Sequence, residues 1–259
     1  MSDATQPPQM MSEGADQSER KLLAPAWHTV VLVLFLLLYS AAGYFASRRF
    51  MGMGHGAGAP PPLKMLPTYG LTLVFEWVLF FYVYWGEKRY SGRTLRESIG
   101  GRWARAVDVW RDIGLALTIW IVLLIVEGTS NHLLKPKGGE LLLRLLPTVW
   151  WQLIPWTLIS ASAGICEEYV FRGYLMQQLR RLTGITWLAI VLQALIFGLG
   201  HGYQGLALMF SVFLLGLVFG ITAHSLKSLR ANMIAHGWTD FFSGLAIYLV
   251  RAFHLMPGM

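Results

Sequence analysis

The chain has 259 residues, of which 55% are hydrophobic and 14% are charged, whereas soluble domains carry roughly 25% charged residues. The apolar residues fall in long blocks and not in short alternating runs. This pattern excludes a soluble domain and predicts an all-α fold, a polytopic transmembrane helical bundle. The net charge of +7 does not indicate a nucleic-acid partner, because the basic residues lie between the hydrophobic blocks and form no phosphate-binding patch.

The N-terminal part of the chain, residues 27–147, is predicted to hold the first transmembrane helices. It follows a polar segment, residues 1–26, whose composition predicts a disordered tail. The first apolar block, 27–47, is too long for the core of a cleaved signal and predicts a span. A loop rich in glycine and proline, 51–62, separates it from a second predicted span at 66–86.

A basic interfacial segment is predicted near residues 87–112. Leu95, Ile99 and Trp103 recur within it at intervals of four, which predicts an amphipathic segment on the membrane surface. The Gly100–Gly101 pair argues against one continuous helix there. The basic residues of this segment are Lys88, Arg89, Arg93, Arg96, Arg102, Arg105 and Arg111.

Five further spans are predicted at 113–130, 149–166, 185–199, 206–225 and 232–250, which makes about seven. If the N-terminus lies inside, the inside segments carry 14 of the 21 Lys and Arg residues, and the outside segments carry the other 7. This bias predicts an integral, multi-pass membrane protein with a cytoplasmic N-terminus and a C-terminus outside. In a bacterium the membrane would be the inner membrane.

Charged and ionisable residues inside predicted spans are costly to bury and are candidates for function. Within the C-terminal core, residues 148–251, they form the patterns EExxxR, FxxxH and HxxxD, each on its own span. Taken singly, these could be a salt-bridged helix end, a histidine in a glycine-rich turn and a hydrogen bond between helices. The residues of this kind are Glu76, Glu127, Glu167, Glu168, Arg172, His201, His224, His236 and Asp240.

The spacing within the patterns predicts which side chains can meet. Glu168 and Arg172 are four residues apart, on one face of a helix, where they can pair. Glu167 lies about 100° further round the helix and can point elsewhere. His236 and Asp240 also share a face, so Asp240 could orient His236, or both could face one ligand or metal.

Taken together, these carboxylates and imidazoles predict a polar, water-activating cavity within the membrane. A glutamate in such a site could act as a general base, and the histidines could hold a metal or donate to an oxyanion. Cys166 lies beside the first pattern, but no histidine is next to it in the sequence. A buried cysteine of this kind is usually inert packing.

The three patterns, in this order, resemble those of the CAAX-protease and bacteriocin-processing (CPBP, or Abi) family of intramembrane proteases, which includes the type II CAAX prenyl endopeptidases. The segments IPWTLISASAGICEEYVFRGYL and MIAHGWTDFF carry the likeness. The resemblance implies a helical fold with a conical cavity in the membrane. It also implies a CAAX-protease-like intramembrane endopeptidase, of the glutamate type or of the metallo type.

The resemblance implies a role for each residue of the patterns. Glu167 would be the base that activates water, with Glu168 and Arg172 supporting the geometry of the first pattern. His201 would help to position the water.

His236 and Asp240 would stabilise the oxyanion or complete the polar site. Asp240 stands where the prenyl proteases often have asparagine, and a carboxylate cannot donate to an oxyanion unless it is protonated. Orienting His236 or binding a metal therefore suits Asp240 better.

The need for a cofactor stays open at this point. Glu167, His201, His236 and Asp240 could ligate a divalent metal such as zinc. They are equally sufficient for a metal-free site in which a glutamate and the histidines act on water, and this is the interpretation that we favour.

The sequence favours an intramembrane endopeptidase that hydrolyses a peptide bond of a membrane-associated protein or peptide near the cytoplasmic face. One alternative is a non-catalytic scaffold, immunity factor or maturation factor of the same family, although no pattern residue is degraded. The other is a proton-coupled transporter, which the lack of paired repeats disfavours. Prenylated C-termini are the family's best-known substrates, but no feature of the sequence specifically recognises a prenyl chain.

Overall fold

A computed structural model describes residues 21–52, 65–135, 143 and 145–253. A π-helical segment, Glu168–Leu175, joins α5 to α6, and 3-10 turns lie at Trp150–Gln152 and Gly202–Gln204. No strand occurs in these described ranges, so the all-α prediction is confirmed. The helices are α1 (Ala26–Gly52), α2 (Met65–Tyr90), α3 (Leu95–Ser98), α4 (Ala106–Leu134), α5 (Leu153–Glu167), α6 (Met176–Thr183), α7 (Thr186–Gly200), α8 (Leu206–Leu226) and α9 (Arg230–Ala252).

Among the described helices, α1, α2, α4 and α8 are long and apolar enough to cross a membrane. They coincide with the first, second, third and sixth predicted spans. The fifth corresponds to α7, which is apolar but shorter, and the fourth and seventh correspond to α5 and α9, which carry the patterned polar residues. Large apolar side chains such as Leu38, Leu71 and Ile125 are exposed, as expected of surfaces that contact lipid. The chain is an integral membrane protein.

The basic segment does not form the amphipathic helix that its periodicity suggests. Between α2 and α4, only the four residues of α3 are helical, because Gly100 and Gly101 adopt a φ of +87° and prevent its continuation. At its start, Thr94 and Glu97 form a capping box, and the hydrogen bonds from Thr94 hold the pKa of the Glu97 carboxyl below its usual value. Trp103 lies outside the helix and donates its indole N–H to Asp112 at 2.7 Å.

The predicted polar tail is packed where the structure describes it. Residues 1–20 lie outside the described residues, but Leu23 and Ala24 are buried. Gln178 of α6 accepts a hydrogen bond from the Leu23 amide at 2.8 Å and donates one to the Ala24 carbonyl at 2.6 Å. Packed residues therefore occur N-terminal to the predicted boundary at residue 26. The Gly/Pro-rich loop lies outside the described residues from residue 53 on.

The centre of the bundle is the continuous run from α5 through the π-helical segment, in which every residue from Glu168 to Leu175 is buried. Helix α9 packs along α5, and α8 packs along α7. The α5–α9 contact is close because Gly164 has no side chain: a Cβ there would meet the Met233 carbonyl and the Gly237 amide. This packing brings the first and third sequence patterns together.

Replacing Gly164 with alanine should destabilise the protein by about 1–3 kcal/mol, because the added methyl would force apart backbones that cannot yield locally. Thermal unfolding in detergent measures the effect. The matched control is Gly128→Ala in α4, where a Cβ would meet no other atom within 4 Å. Equal unfolding temperatures for the two variants would contradict the close α5–α9 packing.

Candidate active site

The site is built around a buried ion pair on the π-helical segment. Arg172 Nη1 donates to Glu168 Oε1 at 2.7 Å, and neither side chain has any exposed surface. The guanidinium carbon lies 4.4 Å from the centre of the Phe197 ring and 5.0 Å from that of the Phe219 ring, an arrangement that favours a cation. The pair predicted from the i,i+4 spacing therefore forms, and it is sealed from water.

Glu168 also fixes two residues of α9. Its Oε1 lies 2.9 Å from Nδ1 of His236, and its Oε2 accepts from Asn232 at 3.2 Å. Asn232 is held in turn by the Phe219 carbonyl and by Thr222. The carboxylate thus fixes the orientation of the His236 ring, a role that the sequence patterns had suggested for Asp240.

Two carboxylates flank the other ring nitrogen of His236. Glu167 Oε2 and Asp240 Oδ2 each lie 3.7 Å from His236 Nε2, just beyond hydrogen-bond distance. The side chains of Glu167 and Asp240 are 25% and 35% exposed, whereas that of Glu168 is fully buried. Glu167 Oε2 has no hydrogen-bond partner, and the partly exposed Glu167 side chain lines the cavity, so no hydrogen bond to Oε2 has to break before the carboxylate acts on a molecule there.

His201 ends the short helix α7 and faces the same cavity. Its Nδ1 lies 2.8 Å from the Phe197 carbonyl. A carbonyl can only accept, so Nδ1 carries the proton and Nε2 of the neutral ring is left as an acceptor. At 15 residues, α7 extends only about 22 Å, which is less than a bilayer core of about 30 Å. A helix of this length that starts at one membrane surface leaves His201 short of the other surface.

A cavity of about 270 Å³ is lined by Glu167, His201, His236 and Asp240. It adjoins a second cavity of about 300 Å³ beside α1, which Glu167 and His201 also line. The four side chains that can reach a substrate are thus brought together. The remaining two residues of the patterns, Glu168 and Arg172, are buried beside the cavity, where Arg172 pairs with Glu168 and Glu168 contacts His236.

The cavity of about 270 Å³ is also lined by two further carboxylates, Glu76 of α2 and Glu127 of α4. Both were identified from the sequence as ionisable residues within predicted spans, but neither belongs to one of the three patterns. Helix packing brings them in, and no spacing along the chain could have indicated it. Cys166 is buried, and its nearest polar contact is the Ser162 hydroxyl at 3.8 Å, which supplies no base to activate a thiol.

The candidate metal ligands were Glu167, His201, His236 and Asp240. Across the part of the chain that the structure describes, no group of three His, Cys, Asp or Glu residues is placed so that it could hold a metal ion. The same four side chains line one cavity, with one carboxylate oxygen of Glu167 unpartnered and one imidazole nitrogen of His236 held by Glu168.

Comparison with known proteins agrees with this geometry. Residues 149–242 match the family model described as type II CAAX prenyl endopeptidase Rce1-like, a range that contains all three patterned sequence motifs. Searches of curated proteins and of solved structures gave no match. The match over residues 149–242 supports membership of the CAAX protease family of membrane proteases.

Proposed function

We propose that this protein is an intramembrane endopeptidase that hydrolyses a peptide bond of a membrane-associated protein or peptide, using water activated by Glu167. The observation that carries the proposal is the unpartnered Glu167 Oε2, which lies 3.7 Å from His236 Nε2 at the wall of a membrane-embedded cavity. A base and a potential proton donor thus lie side by side at the wall of a cavity that can hold water and a carbonyl group.

In the proposed reaction, Glu167 removes a proton from water, and the resulting hydroxide attacks the carbonyl carbon of the scissile bond. His236 donates from Nε2 to the oxyanion of the tetrahedral intermediate. The protonated Glu167 then gives its proton to the leaving amine as the C–N bond breaks. The products are one new carboxylate and one new amine, and Glu167 returns to its starting state.

The buried pair prepares His236 for this role. Glu168 accepts a hydrogen bond from Nδ1 and so holds the ring with Nε2 at the cavity, and Arg172 balances the charge that Glu168 brings into the bundle. His201 contributes differently: its Nε2 can accept a hydrogen bond from the attacking water and so fix the water's position.

The test is an assay of the purified protein, reconstituted in lipid nanodiscs, against a pooled peptide library with cleavage read by mass spectrometry. We expect the wild type to cleave and Glu167→Ala to be inactive. Glu97→Gln, a change at an exposed carboxylate of α3, serves as the control that should stay active. Uptake of protons with no cleavage would favour the transporter alternative, and neither activity would favour a scaffold.

Asp240→Asn separates metal-free from metal-dependent hydrolysis. Because Asp240 lies beyond hydrogen-bond distance of His236 and Glu168 fixes the ring, we expect the Asn variant to keep its fold and a sizeable fraction of its activity. A chelator should have little effect on the wild type. Reversible inactivation by the chelator, with stoichiometric zinc that is lost in His201→Ala, would instead assign a metal to the site.

A further inference from the structure

A groove on the outer surface of the bundle is separate from the active-site cavities. Its volume is about 1130 Å³, and it lies between α2 and α9, with α5 as its floor and residues 95–103 closing one end. Of the described residues, none lines both the groove and a cavity of the site. Ala161 lines the groove and Ala163 lines the site, and two positions along a helix are about 200° apart. The groove and the site therefore lie on opposite sides of α5.

The groove is apolar over most of its surface. Its floor is made of small residues where α5 packs on α9, among them Ser160, Ala161 and Gly237, while Trp77 of α2 and Phe241 of α9 form part of its walls. No acidic side chain lines it among the described residues. The groove can therefore take up a hydrocarbon chain, and it holds no carboxylate that could activate water.

The length of the groove matches one monolayer of the membrane. Along α9 it extends from Arg230 to Phe241, which is 11 positions and about 16 Å at the rise of an α-helix. The hydrocarbon core of a bilayer is about 30 Å thick, so the tails of one monolayer fill about 15 Å. A lipid that lies along the groove therefore has its tails towards Phe241 and its headgroup near Arg230.

The closed end of the groove is basic. Arg96, Arg102 and Arg230 line it, but Arg230 is already paired, because its Nε lies 2.7 Å from Asp112 Oδ2. Arg96 and Arg102 are exposed, and neither side chain forms an ion pair or a hydrogen bond with a described residue. Two positive charges are thus left free at the rim of an apolar groove.

The segment that carries these two arginines is held on both sides of the groove. On the side of α9, the Ile99 carbonyl accepts a hydrogen bond from the Leu229 amide at 3.1 Å. On the side of α2, the Ser98 hydroxyl donates to Glu87 Oε2 at 3.1 Å, and both of these residues are buried. The two guanidinium groups are therefore carried by a fixed backbone that spans the end of the groove.

We propose that this groove binds one anionic phospholipid, whose tails lie between α2 and α9 and whose phosphate is bound by Arg96 and Arg102. Basic pockets between membrane helices are typical sites for anionic headgroups, and a guanidinium can bind two phosphate oxygens through parallel hydrogen bonds. An uncharged occupant, such as the isoprenoid chain of a lipidated substrate, would leave both arginines unpaired and would lie across α5 from Glu167. The proposal concerns binding alone and does not rest on the proteolytic function.

Native mass spectrometry of the purified full-length protein in a neutral detergent tests the proposal. Phosphatidylglycerol and phosphatidylcholine with identical acyl chains are titrated separately, and the dissociation constant of the first bound lipid is measured for each. We expect the first phosphatidylglycerol to bind more tightly than the first phosphatidylcholine. The double variant Arg96→Gln with Arg102→Gln should bind phosphatidylglycerol about 30-fold more weakly, which is the combined effect of two basic side chains on an anionic headgroup.

Matched variants separate the groove from general effects of charge and bulk. Lys88→Gln with Arg89→Gln also removes two exposed positive charges, at the end of α2 but outside the groove, and should leave the affinity unchanged. Ala161→Phe fills the floor of the groove and should weaken the binding of phosphatidylglycerol. Ala42→Phe adds the same bulk at an exposed position of α1, outside the groove, and should not.

Thermal unfolding in the same detergent provides a second measurement. Without lipid, Arg96→Gln with Arg102→Gln should unfold at the wild-type temperature, because neither side chain has a described partner to lose. Phosphatidylglycerol should raise the unfolding temperature of the wild type but not that of this variant. Equal affinities for the two lipids, or an equal loss in Lys88→Gln with Arg89→Gln, would overturn the proposal. Displacement of phosphatidylglycerol by an equimolar farnesylated peptide would also overturn it and assign the groove to the lipid chain of a substrate.

Discussion

Replacing Arg172 with alanine is expected to lower the free energy of unfolding by about 3–5 kcal/mol, because it leaves the carboxylate of Glu168 buried without its cation. Neither side chain of the pair has exposed surface, so water cannot take the place of the guanidinium. Activity should fall as well, since Glu168 orients His236. Thermal unfolding in detergent and the peptide assay measure the two effects.

Two companion variants show whether the charge is the cause. Arg172→Lys should recover the stability only in part, because an ammonium cannot bond to Glu168 and also reproduce the flat contact with the Phe197 and Phe219 rings. The double variant Arg172→Met with Glu168→Gln removes both charges. Compared with Arg172→Ala, it should recover much of the lost stability but little of the lost activity. An Arg172→Ala protein as stable and active as the wild type would show that the pair is incidental.

Glu167→Gln is expected to lower the rate of peptide hydrolysis by about 10²–10⁴-fold, the usual contribution of a general base. Glutamine has nearly the same shape but cannot take a proton from water, and Glu167 forms no ion pair with Arg172 that would be lost. The unfolding temperature should therefore stay close to that of the wild type. The measurement is kcat on a peptide selected from the library, with unfolding of the same preparation as its control.

A Glu167→Gln protein with undiminished kcat would remove Glu167 from the role of base. His201→Ala provides an independent check, since it should also reduce kcat while the α7 helix stays folded. Loss of activity in His201→Ala together with full activity in Glu167→Gln would point to a different water-activating group in the same cavity.

The features that could be predicted from the sequence are those that local spacing determines. Glu168 and Arg172 pair because residues four apart share a helix face, and this holds in the π-helical segment as well. Hydrophobic length indicated the spans of α1, α2, α4 and α8, because the bilayer imposes that length on any helix that crosses it. The Gly100–Gly101 pair argued against one continuous helix in the basic segment, and both residues adopt positive φ angles just after α3 ends.

The composition of the cavity walls could not be predicted, because it depends on how distant helices pack. Glu76 and Glu127 reach the cavity from α2 and α4, far from the three patterns in the sequence. The partner of His236 is a second example. The i,i+4 spacing indicated Asp240, but the packing of α9 along α5 brings Glu168 closer, at 2.9 Å against 3.7 Å. Close backbone contact at Gly164 allows this packing.

Direct attack by water is the central claim, and product analysis in ¹⁸O-labelled water tests it most directly. The wild type cleaves a selected peptide in a single turnover, and acid-quenched samples are analysed by intact-protein and peptide mass spectrometry. The account predicts ¹⁸O in the new carboxylate and no added mass on the protein at any time point, with the same result for Cys166→Ala. A peptide fragment attached to the protein, at Cys166 or any other side chain, would contradict it.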